Sequence, residues 1–362
     1  MTSGDSSNNS SSGSSGGTSE RARKRATWTR PFHSALIWPA LTLVLLIALN
    51  LAFHPAFLGI RMLNGHMFGA PIDILNRAAP LTLVSLGMTL VIATRGIDIS
   101  VGAVVAIAGA MAATLLAPTL HSSGYPVVVA VMAALVVGLL SGIWNGTLVS
   151  LVGMQPIIAT LILMVAGRGV AQLLTAGQII PISTPSYLFL GGGYLLGMPF
   201  SVWVAVVVVI GTFALMEGTA LGLFIRAIGV NPTATRFVGL RMKAIVFLVY
   251  VFSGLTASLA GVLISSNVRS ADGNNAGLLL ELDAILAVTL GGTSLLGGRF
   301  SLMGTVLGAL IIQTLTYTTY SIGVPPEANL VVKAAVVLIV SVIQSPIARF
   351  YLMHAFGKRS IA

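Results

Sequence analysis

The sequence predicts an all-α polytopic membrane protein with about ten transmembrane helices and with both termini in the cytoplasm. Hydrophobic residues make up 56% of its 362 residues and charged residues only 8%, whereas soluble domains are about a quarter charged. Long apolar stretches recur along the chain, and a backbone in lipid satisfies its hydrogen bonds within such a stretch as a helix. The 19 Lys and Arg residues lie mainly on one predicted side of the membrane.

The first 30 residues are polar and precede the first predicted helix. Residues 1–20 are almost entirely Ser, Gly, Asn and Thr, and such a segment cannot bury enough apolar surface to fold, so we expect a disordered tail. Residues 21–30 add five basic groups. Residues 34–53 are long enough to span a bilayer at ~1.5 Å per residue, and no A-x-A cleavage site follows. We interpret them as a retained helix rather than a signal peptide.

Nine further apolar stretches complete a transmembrane domain over residues 31–350, which is followed by a short cytoplasmic tail at 351–362. The nine stretches are 78–94, 99–117, 126–150, 156–175, 200–216, 244–266, 284–297, 300–319 and 328–348. The stretch 284–297 is the shortest, and the glycines of its LGGTSLLGG segment favour a broken or partly inserted helix.

The distribution of positive charge tests this number of spans. With the N-terminus inside and ten spans, fourteen of the 19 Lys and Arg residues fall in cytoplasmic segments and three fall in outer segments. This bias agrees with the positive-inside rule, and a missed or additional span would reverse every later loop. The net charge of +10 is therefore mainly an orientation signal, with some attraction of residues 21–30 to anionic lipid.

Two segments suggest an internal repeat. Residues 94–115 and 291–313 each place a glycine-rich cytoplasmic turn before a helix of small residues. Repeated halves are common in transporters. The alternative is that any two Gly- and Ala-rich membrane helices resemble each other.

The longest cytoplasmic loop, residues 217–243, carries the signals of a short, well-defined helix. Asn231 suits an N-cap, Pro232 suits the first helical position and Gly239 suits the C-terminal stop. A preceding amphipathic segment carries Arg226. A simple connector between two membrane helices would not need this much structure, so the loop is a candidate docking element for a cytoplasmic partner.

The short helix has an apolar side made by Ala234, Phe237 and Val238, while Thr235 and Arg236 are expected to face elsewhere. Two interpretations remain open at this point. The helix either docks onto a cytoplasmic partner or lies on the lipid headgroups, anchored by the arginines of the loop.

The turn at residues 95–102 is a second candidate. Gly96 permits a tight turn, Gly102 ends it, and Asp98 or Ser100 can cap the following helix. The turn is either a helix cap alone, a contact to the same cytoplasmic partner, or a break that lines the transport path if it sits deeper in the membrane.

Polar residues inside predicted spans are costly, so they face the bundle interior or a water-filled path. Arg168 lies about two-thirds of the way outward along its helix, and Asp272, Glu281 and Asp283 are the outer acids that could neutralise it. A structural ion pair and a substrate contact are both open. The neutral polar groups on spans suit either a hydroxylated substrate or helix–helix hydrogen bonds, and they are Asn145, Gln155, Gln172 and Gln313.

Two outer loops, 267–283 and 176–199, are candidate contact surfaces for an extracytoplasmic binding protein, and ordinary solvated loops are the alternative. The polar residues in the first of these loops that could make such contacts are Arg269, Asp272, Asn274, Asn275 and Glu281.

Several kinds of chemistry are absent from the sequence. The chain has no Cys, which excludes disulfides and Cys-ligated metal sites. It has no G-x-x-x-x-G-K-[ST] phosphate-binding loop and no set of catalytic carboxylates or Ser/His/Asp residues. We therefore expect a protein that is not an enzyme, with no catalytic residue, no metal site and no bound cofactor of its own. Nucleic acid is not an expected partner.

Three segments carry a resemblance to a known family. Residues 71–110, with the turn RGIDISVG, residues 220–243, and residues 282–312, with GGTSLLGG, resemble the permease subunits of bacterial monosaccharide ABC importers of the ribose/xylose/galactose type. The resemblance covers roughly residues 34–350. Within that family, residues 159–180 and 274–288 resemble the permeases of galactofuranose importers most.

The resemblance implies a bacterial inner-membrane subunit that moves a monosaccharide inward. It also implies three kinds of partner: a second permease chain, identical or similar; a cytoplasmic ATPase that binds ATP and Mg²⁺; and a periplasmic sugar-binding protein. The loop 217–243 would be the coupling element, with residues 231–238 seated on the ATPase. A secondary transporter of a neutral solute remains the alternative.

Overall fold

The computed structural model describes residues 30–63, 65–117 and 124–344. The predicted tails, 1–30 and 351–362, lie outside these ranges except for Arg30, and so do residues 345–348 of the last predicted span. The described residues form thirteen α-helices: α1 (Arg30–Phe53), α2 (Ala70–Ala93), α3 (Val101–Leu116), α4 (Val127–Gly146), α5 (Pro156–Leu174), α6 (Pro185–Gly192), α7 (Phe200–Gly218), α8 (Ala220–Val230), α9 (Pro232–Phe237), α10 (Met242–Val268), α11 (Leu280–Leu290), α12 (Leu302–Ser321) and α13 (Pro326–Gln344). A π-helical turn, Thr147–Val152, extends α4.

Within the described ranges, six short strands form three antiparallel pairs between the helices. They are β1 (Arg61–Leu63) with β2 (His66–Phe68), β3 (Ile179–Pro181) with β6 (Ser270–Asp272), and β4 (Tyr194–Leu195) with β5 (Met198–Pro199). All six strands lie in segments that the ten-span topology assigns to the outer side.

Each of the ten stretches predicted from the sequence contains a helix among its described residues, and the predicted polytopic helical fold is confirmed. Seven of the described helices are long and apolar enough by themselves to cross a membrane. The other three predicted spans are α3, with 16 residues, α11, with 11, and α13, with 19. The sequence placed the start of the second span at residue 78, but α2 begins at Ala70. Polar residues of its first two turns line an outer cleft, so they looked like a loop in the sequence.

The shortest predicted span ends earlier than expected. α11 stops at Leu290, because Gly292, Gly297 and Gly298 adopt positive φ angles of 83°, 85° and 87° that a right-handed helix cannot contain. At ~1.5 Å per residue, the 11 residues of α11 reach only about halfway across a bilayer. This agrees with the broken or partly inserted helix expected here.

α10 forms the centre of the bundle and packs mainly against α4, α2 and α3. Small residues permit this packing: a Cβ on Gly254 of α10 would overlap the carbonyl oxygen of Gly138 on α4. Glycine at both positions lets the two backbones touch, as in other membrane helix pairs. α1 lies at the periphery, since only 17% of its span is buried, against 83% for α2.

Contacts between loops support the predicted sidedness. On the outer side, β3 pairs with β6, and the Met67 amide donates to the Gly197 carbonyl at 2.9 Å. On the inner side, the Gly298 amide donates to the Ala93 carbonyl at 2.9 Å. Each contact joins segments that the ten-span topology places on the same side of the membrane.

The two segments of the suggested repeat share a local arrangement. A glycine-containing turn precedes α3 in one and α12 in the other. They differ in their caps: the Ser301 hydroxyl accepts from the Gly304 amide at 3.1 Å, whereas Ser100 makes no side-chain cap bond.

Candidate functional site

The cytoplasmic loop folds as two helices, and the predicted short helix is confirmed as α9. Asn231 is its N-cap, with Oδ1 accepting from the Ala234 amide at 3.0 Å, and Pro232 is its first residue. Gly239, with φ of 83°, ends it as expected. The local signals in the sequence therefore determined both ends of this helix.

α8 fastens the loop to the bundle. Ile225 and Ile228 are buried against Val91 of α2 and Phe300 before α12. Arg226 forms an ion pair with Glu217 at the end of α7, and its guanidinium lies 5.0 Å from the centre of the Phe300 ring. These contacts tie the partly exposed Arg226 to the bundle.

α9 turns its apolar residues outward. The exposed fraction is 87% for Phe237 and 80% for Val238, but 5% for Thr235. Arg236 is exposed beside them. A cavity of about 600 Å³ next to α9 is lined by Arg236, Arg241 and Lys243 together with Phe247 of α10. The loop thus presents exposed apolar residues beside basic ones, and its preceding helix is packed on the bundle. This surface suits either a partner protein or lipid headgroups.

Arg95 connects this loop to the end of α2. Its Nε donates to the Gly229 carbonyl at 2.6 Å, and its Nη2 donates to the Val230 carbonyl at 2.7 Å. These are the last carbonyls of α8, which have no partner within that helix. A guanidinium at a helix C-terminus also interacts favourably with the helix dipole. In the sequence Arg95 counted only as an orientation charge; its position directly after a span and before Gly96 was the available signal.

The next residues of the turn form a buried polar cluster. Asp98 and Ser100 have exposed fractions of 2% and 0%. Asp98 Oδ1 accepts from the Ser100 amide at 3.1 Å and from the Ser100 hydroxyl at 2.6 Å. Its Oδ2 accepts from the Ser253 hydroxyl of α10 at 2.8 Å. Asn145 of α4 donates to the Ser100 Oγ at 2.8 Å.

The burial of Asp98 and Ser100 distinguishes among the three interpretations of the turn: a helix cap, a partner contact or a break within the membrane. Direct contact of Asp98 or Ser100 with a cytoplasmic partner is wrong, since neither residue reaches the surface. Ser100 does not cap α3 with its side chain; Asp98 instead accepts the Ser100 amide. The turn lies deep because α3 has only 16 residues, or ~24 Å of rise, and the chain must cross the remaining thickness as a turn.

Glycines at both ends of the turn allow close packing. A Cβ on Gly96 would lie 2.5 Å from the Tyr250 hydroxyl. A Cβ on Gly102 would overlap the Gly277 carbonyl and the Glu281 carboxylate. The outer loop therefore reaches inward to the start of α3.

Arg168 holds this outer loop. Its Nη1 donates to the Ala276 carbonyl at 2.6 Å and to the Asn274 carbonyl at 3.3 Å. The expected ion pair with an outer acid does not form: Asp283 instead binds Lys333 of α13 at 2.8 Å. Because main-chain carbonyls are its hydrogen-bond acceptors, Arg168 acts in this structure as a support for the loop.

The residues suggested as binding-protein contacts divide into exposed and internal ones. Arg269, Asn274 and Asn275 are exposed. Asp272 is half-buried and organises the turn by accepting from the Asn274 amide at 2.8 Å and from the Asn275 side chain at 2.7 Å. Partial burial by itself would raise the pKa of Asp272, but these hydrogen bonds and the Arg168 charge together lower it. Glu281 has an exposed fraction of 4%, so the expectation that it meets a partner is wrong.

The four neutral polar residues have different surroundings. Asn145 belongs to the Asp98 cluster, so helix–helix bonding explains it. Gln155 and Gln172 are exposed at the two ends of α5. Gln313 of α12 lies with Arg77 of α2 in two adjoining outer cavities of about 380 and 180 Å³. The sequence did not predict that cleft, because it assigned Arg77 to a loop.

The arrangement described so far is a polytopic bundle with a structured cytoplasmic loop, and comparison with known proteins agrees with it. Residues 70–341 match the family described as "Branched-chain amino acid transport system / permease component". The chain belongs to this family of permease components. It is a multi-pass membrane protein, as the sequence predicted.

Similar proteins of known function are permeases for sugars. The chain is 52% identical over 306 residues to the galactofuranose transporter permease protein YtfT of Escherichia coli K12, covering 84% of this chain and 88% of the relative. It is 41% identical over 319 residues to the fructose import permease protein FruF of Bifidobacterium longum, covering 86% and 88%. It is 37% identical over 305 residues to the ribose import permease protein RbsC of Escherichia coli K12, covering 83% and 90%. The resemblance to sugar-import permeases is confirmed. No solved structure matches the chain.

Proposed function

We propose that this chain is the transmembrane permease subunit of an ATP-binding cassette importer that moves a monosaccharide into the cell. The observation that carries the proposal is the docking surface on α9. Phe237 and Val238 are exposed on a helix whose base is buried in the bundle. Exposed apolar residues on a surface that faces water usually mark a protein contact. In an importer of this family, the expected partner on the cytoplasmic side is the ATPase.

The energy source would then be separate from this chain. ATP and Mg²⁺ would bind to the ATPase subunit, which would press on α9 as it closes and opens. The permease itself would perform no bond-breaking chemistry, and its role would be to alternate the accessible side of a sugar path.

The substrate assignment rests on the relatives. The named permeases for galactofuranose, fructose and ribose all handle small hydroxylated sugars, and a galactofuranose-like sugar is the proposed substrate. A periplasmic sugar-binding protein would deliver it to the outer loops, where Arg269, Asn274 and Asn275 are exposed. Sugar binding by that purified protein would identify the substrate.

A second permease chain would complete the path. The half-buried Arg168 lies within α5, the exposed Gln172 lies near the outer end of that helix, and the exposed Asn274 contacts Arg168 through its carbonyl. Such groups avoid lipid and face water or protein. We therefore propose that this face borders a path between two permease chains.

The docking surface is tested by replacing one of its apolar residues with a charged one. Phe237→Asp places a charge where an apolar contact is expected, so ATPase co-purification and sugar uptake should each fall at least about tenfold, equivalent to ~1.4 kcal/mol. Leu196→Asp is the matched control, because Leu196 is 81% exposed but lies on the outer side. The control should retain the ATPase. Full uptake and co-purification by Phe237→Asp at normal membrane levels would contradict the proposed function.

A further inference from the structure

The turn at residues 95–100 joins the docking loop to the helix bundle by two consecutive sets of bonds. Arg95 grips the end of α8 through the Gly229 and Val230 carbonyls at 2.6 and 2.7 Å. Three residues later, Asp98 bonds to Ser100 and to Ser253 of α10. The same short segment therefore touches the loop at one end and the bundle core at the other.

The second set of bonds reaches three different helices. Ser253 belongs to α10 and Asn145 to α4, and both bond within the Asp98 cluster. Thr160 of α5 contacts the main chain between Arg95 and Ser100, since its hydroxyl accepts from the Ile99 amide at 3.3 Å. A displacement of the turn would therefore also displace residues of α4, α5 and α10, to which it is hydrogen-bonded.

The ends of α2 and α8 meet the turn before α12 at a tightly packed contact, which we call the inner junction. A Cβ on Gly229 would overlap both the Ala93 carbonyl and the Gly298 amide, and the Gly298 amide also donates to Ala93. Close-packed interfaces transmit displacement, because they cannot deform gradually. The ends of α2 and α8 and the turn before α12 must therefore shift as one unit.

We propose that Arg95 is a positioning residue for transport: it couples movement of the docking loop to α4, α5 and α10 through the Asp98 cluster. This inference rests on the proposed function, because it requires an ATPase that moves α9. Arg95 is assigned this role through its bonds to the end of α8, not through contact with sugar or nucleotide. The planar guanidinium suits this role because one rigid group binds two carbonyls at once, whereas Lys would offer a single point of attachment.

Loss of the link should separate ATP hydrolysis from transport. In the assembled transporter, Arg95→Ala should leave α9 on the ATPase, so that hydrolysis continues, but sugar moved per ATP hydrolysed should fall at least about tenfold. Arg95→Lys should give an intermediate ratio. Arg299→Ala is the matched control: Arg299 is exposed at the same junction and makes no hydrogen bond within the part of the chain that the structure describes. It should keep the normal ratio.

The ratio of transport to hydrolysis is the decisive measurement, since a merely structural role would lower both in proportion. Complexes of the Arg95 variants are reconstituted with the ATPase and binding protein, and only intact complexes are compared. If Arg95→Ala does not assemble, Arg95→Lys and Asp98→Asn supply the test, and both should lower the ratio.

A normal ratio in every assembled variant of Arg95 and Asp98 would overturn the proposal. That result is distinguishable from failure of the proposed function. If Phe237→Asp abolishes uptake while the Arg95 variants stay coupled, only the linkage is wrong. If Phe237→Asp is also fully active, the docking role itself fails.

Discussion

Arg168 shows how main-chain carbonyls can accommodate a charged residue within a membrane helix. Its guanidinium donates to the carbonyls of Ala276 and Asn274. The sequence could predict that a cation at this depth needs partners. It could not predict that the partners would be main-chain oxygens 106 and 108 residues away, because carbonyls are present at every residue and give no compositional signal.

We predict that Arg168→Ala lowers the yield of folded protein without changing which sugar is transported. Hydrogen bonds to charged groups contribute about 1.5–3 kcal/mol each, and here they hold the loop that packs on the start of α3. Folded yield is measured by size-exclusion chromatography in detergent, and preference by competition between sugars. Arg61→Ala, which removes an exposed outer arginine, is the control. A changed sugar preference at full yield would assign Arg168 to the transport path instead.

At the scale of elements, sequence signals were most reliable where the determining interactions are local. The cap and stop of α9 lie within nine residues of each other, and the structure has both. The ends of α2 and α11 were less predictable. α2 continues through Asp73, Asn76 and Arg77 because a cleft formed with α12 and other helices hydrates them, and only the tertiary structure reveals that cleft.

The turn at 95–102 also has features that could not be predicted from the neighbouring sequence. The sequence indicated a capped turn, but the bond from Arg95 to Val230 spans 135 positions and that from Ser253 to Asp98 spans 155. Nothing in the neighbouring residues of either partner specifies the other. The packing of α10 against α4 and α2 brings them together.

The close contact between α10 and α4 predicts how a larger residue at Gly254 affects folding and stability. Gly254→Val should prevent normal packing, because even its Cβ would overlap the Gly138 carbonyl and overpacking costs about 1–3 kcal/mol or more. We expect reduced folded yield and a lower thermal unfolding temperature. Gly211→Val is the matched control, since Gly211 is also helical but has open space around its Cβ. Equal stability of the two variants would show that the α4–α10 contact is not tight.

The whole molecule combines a bundle with two differently built faces. The outer face carries the short strand pairs and the loop held by Arg168, while the inner face carries α8, α9 and the Arg95 junction. The polytopic helical bundle was predictable from hydropathy, because a backbone in lipid must form helices. The direction of the spans follows from the charge bias and stays a prediction. Which loops meet at each face was not predictable, since it depends on how the helices pack.

The absence of Cys permits a direct test of this sidedness. In intact spheroplasts that produce the permease without its ATPase, so that α9 is uncovered, a membrane-impermeant maleimide should label Leu196→Cys, whereas Val238→Cys should react only after permeabilisation. Both positions are at least 80% exposed in the wild-type chain, so accessibility differs only by side. Labelling of Val238→Cys in intact cells would reverse the topology and remove the docking surface from the cytoplasm.

The central claim is that a partner ATPase drives this permease through the α8–α9 loop. The most direct measurement is sugar uptake by right-side-out vesicles that contain the assembled transporter and are supplied with binding protein outside and ATP inside. We predict that uptake follows the internal ATP concentration, persists when an uncoupler removes the proton gradient, and is lost with Phe237→Asp. Uptake that collapses with the uncoupler while ATP remains, and that is unaffected by Phe237→Asp, would contradict the account and identify a secondary transporter.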